Sequence, residues 1–277
     1  MAPDAYCEQL TDRKGSTFYY GVLFLDPARR GAATALQALC VELKQVVART
    51  TDENAARIKL AWWRNEIVRI HTQTPQHPVT RALLGMLSKY PDAAPLLEAL
   101  VDAAEMDLMQ TRYLDFKALA QYCALTGGAA GECAAILLGG ADEAVRRAMR
   151  GGGLALCLIG LIRNVGEHAR NGRVYLPVNE LQQFNVPVAD VLNARYSDNF
   201  RSLMEFQSTR ALTLLDDALN ELPRSQRKSQ RSLLIGAAIY RALLEEIRAD
   251  GFRILHERAS LTPIRKFWLA WKTWVMT

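Results

Sequence analysis

The chain has 277 residues, 50% of them hydrophobic, and a formal net charge of +5. This length allows one large core or two modest ones, and no run of about 18 uncharged apolar residues predicts a membrane span. The charge excess is mild, and neither an aromatic–basic RNA motif nor a zinc-finger pattern accompanies it, so we expect no nucleic-acid partner.

The N-terminus and the cysteines favour a cytoplasmic protein. No basic start followed by an apolar run predicts a signal peptide. The five cysteines are scattered and form no Cys-x-x-Cys pair, which favours buried thiols over a zinc site or a disulfide framework. Buried thiols of this kind are typical of a reducing compartment.

The first clear helical pattern joins Leu36, Leu39, Leu43 and Val46 at three- and four-residue spacing. Asp26-Pro27 precedes it and is typical of a helix start. Further patterns of this kind run roughly through residues 52–72, 79–90, 93–110, 115–138, 142–170, 197–222 and 227–257. Strand-like alternation is nearly absent, and no linker is long enough to separate domains. The sequence therefore predicts an all-α, single-domain protein over residues 1–277 with about eight to ten helices.

Three consecutive glycines, Gly151 to Gly153, lie inside the pattern of residues 142–170. A phosphate-binding loop would also need a following Lys-Ser/Thr and a preceding strand, and neither is present. The glycines therefore indicate close helix packing or a helix start rather than a phosphate site.

Motifs spread over almost the whole chain carry a family resemblance. They are Ser16–Tyr20 (STFYY), Lys59–Glu66 (KLAWWRNE), Glu105–Leu108 with Thr111–Tyr113 (EMDL and TRY), Arg163–Pro177 (RNVGEHARNGRVYLP), and Tyr240–Leu244 with Gly251-Phe252. In this order they resemble segments of the squalene/phytoene synthase family, which includes bacterial enzymes that join two farnesyl diphosphates head to head. The resemblance implies an isoprenoid-synthase-like helical bundle around a central cavity.

The resemblance also implies where a metal site would lie. Family members carry five aspartates on two facing helices, and these carboxylates hold magnesium ions that bind the substrate diphosphates. The corresponding positions here hold Lys44, Gln45, Ala48, Asn164 and His168. Five carboxylates (−5) are replaced by one lysine (+1) and four groups that are neutral when His168 is neutral. We therefore expect no metal cofactor and assign no catalytic residue to these degenerate motif positions.

Polar and aromatic residues near these positions are the candidate ligand-binding residues. They are Tyr19, Lys44, Glu105, Asp107, Arg112, Tyr113, Arg163, Glu167, Arg170, Arg173 and Tyr175. Structural interpretations remain open for several of them. Glu105 forms an acidic stripe with Asp102 and Glu98 that suits a solvated helix face, and Arg163 and Glu167 have the spacing of a helical ion pair. Arg112 and Tyr113 are equally suited to packing.

Lys44 supports a sharper hypothesis. If it faces the cavity together with Arg170 or Arg173, its ammonium group contacts a diphosphate directly, without metal. The alternative is a solvent-facing Lys44 beside a cavity that binds nothing.

The C-terminal segment from 265 to 275 is basic and aromatic. One face of its predicted helix carries Phe267, Trp268, Trp271, Trp274 and Val275. This pattern suits an interfacial helix on the inner membrane surface, and it equally suits a terminal helix docked on the bundle.

The predicted function is that of a degenerate homologue that acts as a binding, accessory or assembly protein. Its expected partners are an isoprenoid diphosphate or related lipid, an active synthase paralogue or an assembly client, and a membrane surface. The alternative is an active head-to-head farnesyl diphosphate transferase. Its Mg²⁺ ligands would then come from Glu105, Asp107, Asn164, Glu167 and His168.

Overall fold

The computed structural model describes residues 1–11, 14–50, 52–140 and 142–277. Within these ranges it contains fifteen α-helices, one isolated β-bridge and no strand. In chain order the helices are α1 (Pro3–Thr11), α2 (Thr17–Val22), α3 (Pro27–Arg49), α4 (Glu53–His71), α5 (Pro78–Lys89), α6 (Ala94–Met109), α7 (Phe116–Cys123), α8 (Ala129–Leu137), α9 (Glu143–Arg163), α10 (Val165–Arg170), α11 (Val178–Gln183), α12 (Val188–Leu192), α13 (Asp198–Glu221), α14 (Arg231–Ala249) and α15 (Pro263–Met276). The predicted all-α class is confirmed.

The helices outnumber the predicted eight to ten for local reasons. The pattern from 142 to 170 divides at Asn164 into α9 and α10, and short helices such as α11 and α12 carry too few residues to show a period. The pattern from 227 to 257 also predicts a longer helix than the structure contains. Helix α14 ends at Ala249, because Gly251 and Phe252 take positive φ angles of 67° and 60° that no right-handed helix accommodates.

Helix α3 begins as the sequence predicts. The Asp26 side chain accepts a hydrogen bond from the backbone N–H of Arg29 at 3.1 Å, and Pro27 occupies the first turn. This cap satisfies one of the backbone donors that the first turn leaves free. It fixes the start of the helix that carries Lys44, Gln45 and Ala48.

Besides a small third cluster at α8, α9 and α14, two large buried apolar clusters form the core. One surrounds α9, α13 and α14, and the other fills the space among α1 and α3 to α6. Helix α9 packs against α8, α13 and α14. Helices α3 and α6 contribute to one cluster, and α9 and α10 contribute to the other, so Lys44 on α3 and His168 on α10 lie on elements of different clusters.

Helix α9 approaches the π-helical turn Ala124–Gly128, which joins α7 to α8, very closely. A Cβ atom on Gly153 would lie 2.0 Å from the carbonyl oxygen of Gly127, and one on Gly127 would lie 2.2 Å from the carbonyl oxygen of Gly153. Real Cβ contacts are never this short, so only glycine fits at both positions. The interpretation of the glycine run as a close helix approach is confirmed for Gly153.

Across the ranges that the structure covers, no helix combines the length and the apolar character that a membrane crossing requires.

Candidate functional site

A backbone pairing between two segments places the site's tyrosines. The N–H of Val174 donates to the carbonyl of Thr111 at 3.1 Å, and the N–H of Val178 donates to the carbonyl of Tyr113 at 2.9 Å. This short pairing follows the end of α6 and therefore aligns Tyr113 with Tyr175 beside Asp107. Sequence reasoning gave these residues separately, and the structure brings them together.

Asp107 is the central carboxylate of the site. Its side chain accepts hydrogen bonds from the Tyr175 hydroxyl and, at 3.1 Å, from the Arg173 guanidinium. Burial raises the pKa of Asp107, while the Tyr175 hydrogen bond and the charges of Arg173 and Lys44 oppose that rise. We call Lys44, Asp107, His168, Arg173 and Tyr175 the motif cluster.

Three tyrosine rings form an aromatic wall beside the motif cluster. The ring centres of Tyr113, Tyr122 and Tyr175 lie 5.6 to 5.8 Å from one another. Burial raises the pKa of all three phenols, so their hydroxyls remain protonated donors. The hydroxyl of Tyr113 is buried without a hydrogen-bond partner in the described part of the chain. A free buried donor of this kind suits a polar ligand atom.

His168 lies on α10 with its ring centre 4.6 Å from that of Tyr175. Burial, followed by the charges of Lys44, Arg173, Arg163 and Arg258, lowers the pKa of His168 to about 4. Its Nδ1 atom is buried and has no hydrogen-bond partner within the described ranges. At neutral pH the imidazole is therefore uncharged.

This depressed pKa predicts an acid-dependent loss of stability. An unfolded histidine binds a proton near pH 6.5, whereas folded His168 binds one only near pH 4, so stability falls as the pH drops through that window. At pH 5 we expect His168 to cost about 2 kcal/mol of unfolding free energy relative to pH 7. Urea unfolding at both pH values, compared between the wild type and His168→Gln, measures this difference. Equal losses in the two proteins would contradict it.

Lys44 lies on α3. Its charge lowers the pKa values of Asp107, His168 and Cys157, although its side chain is exposed to solvent. Cys157 lies on α9, and its sulfur is 3.2 Å from the Thr126 hydroxyl. Hydrogen bonds from Cys123 and Thr126, aided by Lys44, hold the pKa of this thiol below its usual range despite its burial.

A second group of cations meets at Asn164. Its Oδ1 atom accepts hydrogen bonds from Arg163 Nε at 3.1 Å and from Arg258 Nε at 3.0 Å. Arg163 also lies over the Tyr240 ring, 5.7 Å from its centre, and Arg258 lies 3.8 Å from Glu167. The expected Arg163–Glu167 pair is thus replaced by contacts to other partners. Sequence reasoning missed Arg258, because it lies in an irregular segment without a helical period.

Several predicted site residues lie apart from the motif cluster. Arg170 donates to the carbonyl of Leu255 at 3.1 Å, so of the two arginines considered beside Lys44 only Arg173 joins it. Glu105 lies 3.1 Å from Arg64, which also binds Asp102 at 2.7 Å, and this supports the structural interpretation of the acidic stripe.

The remaining candidates also have local placements. Arg112 is exposed and forms the isolated bridge with Val174, and the Tyr19 ring packs edge-on against Tyr20 at 5.2 Å. Gln45 is half-buried and Ala48 is exposed, both on α3.

The residues at the degenerate motif positions do not fit a magnesium ion. Asn164 Oδ1 already accepts from two arginines, and Asp107 is held by Arg173 and Tyr175. No group of three or more His, Cys, Asp or Glu side chains in the described ranges has an arrangement that could hold a metal ion. Magnesium takes oxygen ligands, and nearby ammonium and guanidinium groups repel it. The expectation that the protein uses no cofactor stays a prediction.

A narrow apolar cleft next to the site is lined by Tyr175, Leu158, Ile162 and Gln207, among others, and has about 10 Å³ of free volume. Small-molecule pockets usually offer hundreds of Å³. A prenyl chain therefore enters this part of the interior only if the lining side chains rearrange.

Known proteins and one family model match this chain over nearly its whole length. Residues 11–265 match the sequence model of a family described as squalene/phytoene synthase. A 15-cis-phytoene synthase of Synechocystis is 30% identical over 96% of this chain and 83% of its own length. A 15-cis-phytoene synthase of Synechococcus elongatus is 28% identical over 94% of this chain and 88% of its own.

Solved structures show the same helical fold. A dehydrosqualene synthase in complex with a ligand has a TM-score of 0.87 and 20% identity, covering 99% of this chain and 96% of that one. A squalene synthase from Alicyclobacillus acidocaldarius has a TM-score of 0.79 and 22% identity, covering 90% of this chain and 94% of that one.

Proposed function

Because the chain belongs to the squalene/phytoene synthase family, we propose that it binds an isoprenoid diphosphate through its own cations instead of through magnesium. The observation that carries this proposal is that the five motif positions hold no carboxylate while cations lie near them. Lys44 and Arg173 lie at the motif cluster, and Arg163 and Arg258 converge on Asn164. All four charges lower the pKa of His168.

These cations suit a diphosphate. Guanidinium groups bind phosphate oxygens in a forked geometry, and an ammonium group adds a compact point charge. The neutral His168 and the protonated Tyr113 offer further polar contacts, since each has a buried atom without a partner among the described residues. The tyrosine wall supplies an apolar surface for the first carbons of a prenyl chain.

Binding by fixed cations differs from the family's catalysis. Magnesium ions neutralise the charge that develops on a leaving diphosphate, and the protein's cations are partly committed to Asp107 and Asn164. We therefore propose a binding, accessory or assembly role, in which the protein presents or sequesters an isoprenoid diphosphate for an active synthase or another client.

The second candidate function is an active transferase. The family match and the identity of up to 30% to enzymes named phytoene synthases favour it. Its metal ligands would have to come from Glu105, Asp107, Asn164, Glu167 and His168. Metal binding by these residues requires that Asp107 release Arg173 and that Glu105 release Arg64.

One experiment separates the two functions. The purified protein is incubated with farnesyl diphosphate and Mg²⁺, and the extract is analysed by mass spectrometry for presqualene diphosphate, squalene and related products. Calorimetry measures farnesyl diphosphate binding in EDTA. We expect binding in EDTA and no product. Product formation that chelation abolishes would overturn the binding role in favour of the transferase.

The C-terminal helix supports a further part of the proposal, a peripheral contact with the inner membrane surface. Helix α15 docks on α14 and α2 through one face, on which Ala270 is fully buried. Outside the docked face, Phe267, Trp268, Trp271 and Val275 are exposed to solvent. Exposed indole rings beside lysines are typical of helices that lie in the membrane interface.

A further inference from the structure

A second cavity lies between α2, the start of α14 and α15, and it shares no residue with the motif cluster. Its volume is about 440 Å³. Phe24, Trp274 and Ile235 contribute apolar surface, and Arg29, Lys228 and Arg231 contribute charge. This volume lies in the range of small-molecule and cofactor sites.

The cavity carries an excess of positive charge. Its three cations face one carboxylate, Asp26, which leaves a formal charge of +2 (three minus one). Asp26 is already committed, since it caps α3 and lies 3.6 Å from Arg29 Nε. Within the described ranges, no ion pair includes Lys228 or Arg231. An anion therefore finds two cations with no competing carboxylate.

Arg231 provides the second, independent observation. Its Nε atom is buried and has no hydrogen-bond partner in the part of the chain that the structure covers. Its guanidinium carbon lies 5.5 Å from the centre of the Trp274 ring, which restricts where the group can turn. A buried N–H without an acceptor is costly. The same guanidinium group lines the cavity, where its other N–H groups can donate to a phosphate oxygen. Ser232 also lines the cavity.

The apolar side of the cavity is continuous with the exposed face of α15. Trp274 stacks on Phe24 at 5.2 Å between ring centres and lines the cavity. It also lies one turn from Trp271 on the aromatic face, where Trp268 is 54% exposed. A ligand that fills this cavity thus has a charged end among the cations and an apolar end at the surface that Trp268 and Trp271 form.

We propose that this cavity binds the phosphate group of an anionic membrane lipid while the aromatic face of α15 lies in the membrane interface. The inference rests on the proposed membrane contact and adds the lipid class that it selects. A soluble phosphate ester would use the cations but leave the aromatic face of α15 without a partner. The arrangement therefore favours the lipid as the source of the phosphate.

The test is co-sedimentation of the full-length protein with phosphatidylcholine vesicles, with and without phosphatidylglycerol. We expect binding only to the anionic vesicles, and a loss of about tenfold or more in Lys228→Gln/Arg231→Gln. The matched control, Lys89→Gln/Lys117→Gln, removes two exposed charges elsewhere and should change binding less than twofold. Unchanged circular dichroism and thermal melting show that each variant folds.

Each other outcome has a defined meaning. Equal losses of vesicle binding in the two double variants would show that the net charge of the protein governs binding, and would overturn the cavity site. Binding of glycerol 3-phosphate in calorimetry without vesicle binding would overturn the membrane-lipid assignment.

A third variant separates the cavity from the helix. Loss of vesicle binding in Trp268→Ser/Trp271→Ser but not in the cavity variant would keep the membrane contact and reject the cavity site. Farnesyl diphosphate binding in EDTA should be the same in the cavity variant and the wild type, because the motif cluster lies elsewhere. This readout makes failure of the proposed function distinguishable from failure of the cavity site.

Discussion

Lys44→Asp is expected to weaken the binding of farnesyl diphosphate in EDTA by about tenfold to a hundredfold, or on the order of 1.4 to 2.8 kcal/mol. The substitution removes the ammonium group that acts on Asp107, Cys157 and His168 and puts a carboxylate in its place. A carboxylate beside Asp107 repels a diphosphate at the position where the wild type attracts it. Isothermal titration calorimetry at constant ionic strength measures the change.

The control for this prediction is Lys89→Asp, which makes the same charge reversal at an exposed position on α5. It should leave the dissociation constant within about twofold of the wild type, because charges separated by more than a Debye length are screened. Equal weakening in the two variants would show that net charge, not the motif cluster, governs binding. Absence of binding in the wild type would reject the proposed function itself.

A second readout reports where Lys44 points, whether or not a ligand binds. The positive charge of Lys44 helps to lower the pKa of His168. In Lys44→Asp the imidazole should therefore titrate at a higher pH than in the wild type, as followed by NMR of the histidine ring protons. An unchanged titration would mean that Lys44 faces solvent away from the site.

Gly153→Ala is expected to destabilise the protein by about 3 kcal/mol or more and to lower its melting temperature by roughly 6 to 12 °C. The added Cβ atom would lie 2.0 Å from the carbonyl oxygen and 2.8 Å from the carbonyl carbon of Gly127. Both atoms belong to the backbone, so no side-chain rotation relieves the contact, and α9 must move away from the π-helical turn.

Gly85→Ala on α5 is the matched control, because a Cβ atom there meets nothing within 4 Å. That substitution should stabilise the protein by about 0.5 to 1 kcal/mol, since alanine loses less backbone entropy than glycine in a helix. Thermal denaturation followed by circular dichroism compares the two variants with the wild type. A melting temperature for Gly153→Ala within about 1 °C of the wild type would contradict the close approach of the two backbones.

The motifs identify most residues of the motif cluster, but they do not identify the partners that these side chains contact. Lys44, Asp107, Arg173 and Tyr175 were selected from the sequence, and the structure groups them. Arg170 was selected by the same motif, yet its guanidinium turns to the carbonyl of Leu255. A motif fixes which residues are present but not which partner each long side chain reaches.

The sequence by itself determined the all-helical class, the start of α3 and which residues stand at positions 44, 45, 48, 164 and 168, because periodicity, caps and residue identity are local properties. Only the tertiary structure decided which charges meet. Arg258 reaches Asn164 across 94 residues of chain, and Arg64 binds Asp102 across 38. It also decided that Gly153 touches Gly127 and that Arg231 and Trp274 line one cavity. Such contacts depend on how distant helices pack, and a pattern that repeats every three or four residues carries no information about distant packing partners.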